Sequence, residues 1–217
     1  PTAYLVGRAW FAGHEFYCDE RALVPRSPLA ELISGEFAPL LHEPAGKVLD
    51  ICTGGGSIGI ATALLWPDCE VDLLDISPAA LDLAKKNIAL HGLENRVRTI
   101  ESDLFDAIES RYDLILANPP YVSAQEYEEL PAEFSREPSL GLISDDSGLQ
   151  IPLKILRDSV DHLSSEGLLV MEVGYSHSQL SERLQQVPLL WLEFEQGGEG
   201  VLALTARQLQ QYREQFN

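Results

Sequence analysis

Two short stretches of this chain combine residue types and spacings that imply chemistry. The first is Asp50-Ile51-Cys52-Thr53-Gly54-Gly55-Gly56-Ser57-Ile58-Gly59, in which Gly54, Gly56 and Gly59 satisfy the spacing GxGxxG. Such a turn lets main chain come close to a ligand beside a helix N-terminus. Asp75 ends the next apolar stretch, 16 residues after Gly59, where a carboxylate is placed to accept hydrogen bonds from ribose hydroxyls. These features alone fit NAD, FAD or S-adenosylmethionine (SAM). Asp50 tilts the choice, because a carboxylate ahead of the glycines favours the ammonium and sulfonium of SAM over a pyrophosphate.

The second stretch is Asn118-Pro119-Pro120-Tyr121. Each proline biases the residue before it away from helix, so the turn is stiff. It holds a carboxamide, a free backbone carbonyl and an aromatic ring in fixed relation. It directly follows an apolar stretch, and at the carboxyl edge of an open α/β sheet that position faces the ligand crevice.

Both stretches need a scaffold of alternating elements, and the pattern from Lys47 onward supplies one. Strands are expected over 47–52, 70–76, 97–102, 112–117 and 167–174, with helices over 57–66, 78–91, 147–163 and 176–186. Strands over 189–195 and 200–205, joined by a Gly-rich turn, are expected to close the pattern as an antiparallel hairpin. Strands alternating with helices imply a mostly parallel sheet with right-handed crossovers. Residues 1–46 read differently: Ala9–Cys18 alternates around a glycine like a β-hairpin, and Val24-Pro25-Arg26-Ser27-Pro28 leads into a short helix from Leu29. We expect a connector over 1–46, packed on a main domain over 47–217.

Length and charge bound the function. A chain of 217 residues, 45% apolar and 23% charged, buries roughly 70% of its unfolded surface and needs no disulfide or metal. No apolar run reaches the roughly 18 residues of a membrane span, so no membrane partner is expected. Thirty-four acids face 15 bases, a net charge of −19, which opposes stable nucleic-acid binding and favours a basic protein partner. Seven of the acids (Glu126, Glu128, Glu129, Glu133, Glu137, Asp145 and Asp146) lie in the long connection 122–150, with Arg136 as its one base. Beside Asn118–Tyr121, that connection is expected to form an acidic rim. Three cysteines without CxxC spacing point to a reducing cytoplasm and no metal site.

The Asp50–Gly59 loop, Asp75, Ser102-Asp103-Leu104-Phe105 and Asn118–Tyr121 resemble the HemK/Prm family of SAM-dependent protein N(5)-glutamine methyltransferases over nearly the whole chain. Leu23-Val-Pro-Arg-Ser-Pro28, Asp75-Ile-Ser-Pro78, Leu130-Pro-Ala-Glu133 and Trp191-Leu-Glu-Phe-Glu-Gln-Gly-Gly198 are similar to the branch that methylates the third protein of the large ribosomal subunit. The sister branch modifies the GGQ glutamine of release factors and usually has Pro-Arg-Pro where this chain has Pro25-Arg26-Ser27. Gly55-Gly56-Ser57 departs from the Ser-Gly-Cys or Thr-Gly-Ala common in relatives, yet keeps the turn glycines.

The resemblance implies a class I SAM-dependent methyltransferase fold: α/β, Rossmann-like, with a seven-stranded mixed sheet. The resemblance implies a family that begins with a helical substrate-binding domain, which is expected to lie outside residues 1–217. Because the chain starts at Pro1 and its single methionine is Met171, its natural beginning is expected to lie upstream. The resemblance further implies that Asp50, Cys52, Thr53, Gly54, Gly55, Gly56, Asp75, Ile76, Asp103, Leu104 and Asn118 hold SAM, whose product is S-adenosylhomocysteine. It makes Asn118, Pro119, Pro120 and Tyr121 the catalytic and substrate-binding residues. The alternatives are methylation of a release factor, methylation of an adenine exocyclic amine in nucleic acid, which shares an Asn/Asp-Pro-Pro-aromatic motif, and a module that binds SAM without transfer.

Overall fold

The computed structural model describes residues 1–129, 131 and 134–217. Leu130, Ala132 and Glu133, which belong to the similarity and the acidic stretch above, lie outside the described residues. Helix α1 (Thr2–Val6) precedes a hairpin of β1 (Arg8–Phe11) and β2 (His14–Tyr17). Its two-residue turn, Ala12-Gly13, has positive φ at both positions, the geometry whose twist matches paired strands. Helix α2 (Leu29–Ser34) follows, and then the alternating pattern begins: β3 (Lys47–Ile51), α3 (Ser57–Leu65), β4 (Glu70–Asp75), α4 (Pro78–Leu90), β5 (Val97–Glu101) and β6 (Tyr112–Ala117). Next come α5 (Ala124–Glu129), α6 (Gln150–His162), β7 (Leu163–Glu172), α7 (His177–Arg183), β8 (Leu190–Trp191), β9 (Val201–Thr205) and α8 (Ala206–Tyr212).

Seven strands form one sheet in the order β5-β4-β3-β6-β7-β9-β8. β3, β4, β5, β6 and β7 pair in parallel, while β9 runs antiparallel to both β7 and β8. The mixed sheet expected from the sequence is therefore the one observed. Its central strands β3, β6 and β7 are largely apolar on both faces, as strands covered by helices on both sides must be. Val48, Leu114, Leu116, Leu168 and Val170 pack into one core with α3 and Phe11, Phe16, Leu29 and Phe37 from residues 1–46. Leu49, Ile51, Ile115, Leu169 and Met171 pack into the other, against α6 and α8.

The topology places the site. β3 lies between β4 on one side and β6 on the other, so chain order reverses there. The segments leaving the carboxyl ends of β3 and β6 diverge to opposite faces and open a crevice. Those segments are the glycine loop and Asn118–Tyr121.

Some boundaries moved for local reasons. The helix expected from Ser147 starts at Gln150, because Asp146, Ser147 and Gly148 all have φ between 52 and 87°, which a right-handed helix excludes. The strand expected over 189–195 is only Leu190–Trp191. Beyond Leu192 the chain leaves the sheet, and the Glu195 and Gln196 N–H groups donate to the Glu31 carboxylate of α2 instead. Helix α8 was not anticipated, although Thr205 and Gln208 cap it reciprocally. No helix among the described residues is long and apolar enough to cross a membrane.

Candidate active site

A cleft of about 850 Å³ opens at the carboxyl edge of the sheet. Its floor is the β3–α3 turn. Cys52 sits there with φ 59°, and Gly56 with φ 84° forms the N-cap of α3. The left-handed conformation costs a non-glycine residue about 1–2 kcal/mol; at Cys52, burial among Asp75, Asp50 and Asp103 also raises the thiol pKa well above its usual value. The thiol therefore stays neutral beside the cleft.

The Asp75 carboxylate closes the turn. Its Oδ2 accepts the Gly54 N–H at 2.8 Å and its Oδ1 accepts the Ser77 N–H at 2.9 Å. Burial raises its pKa, and those N–H donors oppose the rise. Each carboxylate oxygen accepts two hydrogen bonds, and Asp75 faces the cleft, so capacity remains for two ligand hydroxyls. Ile76 follows, 48% exposed. Leu104 is held at φ 47° on the loop after β5, with Asp103 beside it in the cleft wall. A diol acceptor lining the same cleft as the apolar Ile76 and Leu104 fits a ribose carrying a planar base, the nucleoside half of SAM.

The structure brings Cys52, Thr53, Gly54, Gly55, Asp75, Ile76, Asp103 and Leu104 into one cleft with Asn118, Pro119, Pro120 and Tyr121. Two other expected cofactor residues lie behind the cleft lining. Gly56 is buried, and a Cβ there would lie 3.0 Å from Ile60 and Leu73 and 3.2 Å from Ala84, so its role is packing α3 on the sheet. Asp50 is fully buried under the loop rather than at the cleft surface. Its Oδ2 accepts the Thr53 hydroxyl and the Gly59 N–H, while its Oδ1 has no partner. Desolvation pushes this carboxyl up to about 7, against the lowering by Thr53 and Gly59. Asp50 holds the loop from below.

Asn118 and Pro119 sit above this floor. Both residues line the cleft, and among the described residues the Asn118 side-chain amide and the Pro119 carbonyl have no hydrogen-bond partner. The neighbouring Tyr121 is the opposite case. Its hydroxyl donates to Glu172 Oε1 at 3.0 Å, and burial with the adjacent Glu172 charge raises the phenol pKa.

Residues 23–28 form a cleft wall, a role beyond that of a connector. Arg26 donates to Glu137 at 2.8 Å and stacks over Phe134. Glu137, expected on an acidic rim, is instead buried and also accepts the Val24 N–H. Ser27 reaches the other oxygen of Glu172. Glu172 carried a readable signal, since a carboxylate inside the apolar run Gly167–Gly174 is rarely buried without a partner or a task.

The cleft can be set beside known proteins. The Methyltransferase small domain family matches residues 35–136. A ribosomal protein uL3 glutamine methyltransferase of Francisella tularensis is 44% identical over the whole chain, which covers 70% of that protein. Another, from Xanthomonas campestris, is 49% identical over 96% of the chain and 68% of that protein. This chain belongs to the ribosomal protein uL3 glutamine methyltransferase family. Among solved structures, a Thermus thermophilus 16S rRNA N2 G1207 methyltransferase in complex with AdoMet and guanosine superposes with TM-score 0.63 at 18% identity. The match covers 91% of this chain and 49% of that one, and shows the shared methyltransferase fold.

Proposed function

We propose that this protein transfers a methyl group from SAM to the side-chain amide nitrogen of a glutamine in ribosomal protein uL3, in the cytoplasm. The observation that carries the reading is the unpartnered acceptor pair on a stiff turn that lines the same cleft as Asp75. An amide nitrogen is a poor nucleophile because its lone pair is delocalised into the carbonyl. The Asn118 side-chain oxygen and the Pro119 carbonyl accept its two N–H bonds, which fixes the nitrogen and turns its density into the cleft. As positive charge develops on nitrogen, those same oxygens stabilise it without reorganising. Tyr121 packs on the amide plane. Asp75 takes the ribose hydroxyls, and Ile76 and Leu104 flank the base. SAM, when bound, supplies a sulfonium methyl and leaves as S-adenosylhomocysteine. The surplus proton on the methylated nitrogen is acidic enough to pass to water, and no histidine lines the cleft among the described residues.

The direct test is incubation with labelled SAM and isolated uL3, followed by mass spectrometry of the glutamine-containing peptides. A mass gain of one methylene on a glutamine is expected. Methylation of an adenine-containing oligonucleotide, with none of uL3, would replace this reading with exocyclic-amine chemistry.

Two expected results follow from the same surface. Asp75→Ala weakens SAM binding by about 1–3 kcal/mol in calorimetry, the scale of charge-assisted hydrogen bonds. Unchanged affinity removes Asp75 from the ribose site. Glu128, Glu129, Asp145 and Asp146 are exposed on the 122–150 connection, whereas Glu126 caps its own helix by accepting the Ser123 N–H. If the exposed four attract a basic substrate, KM rises steeply with salt, since screening shortens to about 8 Å near 0.15 M. Glu128→Gln with Glu129→Gln then raises KM more than it lowers kcat, the pattern of lost uniform binding. A KM independent of both salt and these substitutions removes the acidic rim from substrate capture.

A further inference from the structure

We infer that Glu172, bridged to Ser27, is a positioning residue that sets the Tyr121 ring and with it the plane in which the substrate amide lies; this rests on the function proposed above. Glu172 ends β7 and is 6% exposed, and Ser27 is 8% exposed. Its two oxygens are divided between two hydroxyl donors from distant parts of the chain. Tyr121 donates to Oε1 at 3.0 Å and Ser27 to Oε2 at 2.5 Å, while the Ser27 oxygen accepts the Leu29 N–H at 3.1 Å. Burial raises the Glu172 pKa, and those two hydroxyls, with Arg26 nearby, oppose the rise.

The tyrosine is held at its other points as well. Its carbonyl accepts the Ser176 hydroxyl at 2.7 Å. Its ring lies so close to Gly174 that a Cβ there would be 2.6 Å from Cε2 and 2.9 Å from Cζ. Ring, carbonyl and hydroxyl are thus each held by a different neighbour. Asn118 and Pro119 provide two acceptors but no surface against the amide plane, so an amide held by them alone can rock about the acceptor pair. Tyr121 removes that rocking motion only if it cannot swing, and Glu172 is what stops the swing. The Ser27–Glu172 bond also ties the wall formed by residues 23–28 to the strand end that carries this clamp.

The test uses a double-mutant cycle and one readout independent of turnover. Glu172→Gln and Tyr121→Phe each lower kcat about 10- to 100-fold, the range for losing a charge-assisted hydrogen bond or for misplacing a reacting group by about 1 Å. The double variant is no worse than the poorer single one, because both act on one tether, which Gln weakens to a neutral hydrogen bond and Phe removes. SAM affinity stays near wild type and Tm falls by only a few degrees, the cost of unpairing one buried group, which a general loss of structure would exceed. Ser27→Ala, which leaves Tyr121 untouched, lowers kcat in the same direction. With 3-fluorotyrosine incorporated, the fluorine resonance lost in Tyr121→Phe identifies Tyr121. That resonance shifts in Glu172→Gln and Ser27→Ala, while the other six tyrosines stay in place.

An unmoved Tyr121 resonance in both variants, or losses that multiply in the double variant, overturns the inference. The two readings fail separately. Wild-type protein that transfers no methyl to glutamine defeats the proposed function, whereas the fluorine signal judges the clamp whether or not substrate turns over.

Discussion

Asn118→Ala lowers glutamine methylation about 100-fold or more, the scale on which one positioned hydrogen-bonding group stabilises a transition state. The side chain is the only acceptor of the pair that a substitution can remove, since Pro119 contributes main chain. Losing it leaves one N–H of the substrate unpaired inside the cleft and frees the nitrogen to turn its lone pair away. The fold is not expected to suffer, because among the described residues the Asn118 amide makes no hydrogen bond whose loss would be felt. SAM affinity therefore falls much less than turnover. Single-turnover transfer to uL3, with calorimetry of SAM binding, separates the two. Transfer by Asn118→Ala at near the wild-type rate would end the proposed mechanism.

The second large effect belongs to stability. Asp50 titrates near 3.8 in an unfolded chain and is pushed up to about 7 in the folded protein, chiefly by burial. Between those values the native state keeps a proton that the unfolded state has released. Stability from this group is fully present below about pH 4, falls as pH rises through the window, and levels off above about pH 7. From pH 5 to pH 8 the loss amounts to about 2–3 kcal/mol at 1.36 kcal/mol per unit. Asp75 and Glu172, also raised by burial, act in the same direction, so the comparison that isolates Asp50 is wild type against Asp50→Asn. Urea unfolding of cofactor-free protein at pH 5 and pH 8 should show the extra loss in wild type only. Asp50→Asn leaves amide hydrogens at the unpartnered Oδ1 position, so its absolute stability can fall while its pH dependence flattens. Equal slopes in both proteins would mean that Asp50 is ionised across the whole range.

The sequence by itself determined the alternating α/β pattern, the parallel sheet with its antiparallel end, and the two segments that meet at the crevice. The physical reason is that these signals are local. Apolar runs such as Tyr112–Ala117, the Ser77–Pro78 helix start, the prolines after Asn118 and the glycines after Asp50 act through periodicity, caps and fixed φ within a few residues. What only the tertiary structure decided rests on pairs far apart in the chain. Ser27 and Glu172 meet across 145 positions, and Tyr121 and Glu172 across 51, and no local rule records which hydroxyl a buried carboxylate will find. Asp50 is separated from the cleft by its own loop, because Thr53 and Gly59 fold over it; a carboxylate next to glycines reads the same in sequence whether it faces a ligand or supports the turn beneath it. Glu137 left the acidic rim for the same reason, drawn inward by Arg26 and the Val24 N–H, since charge composition records how many acids a segment carries but not which of them finds a buried partner.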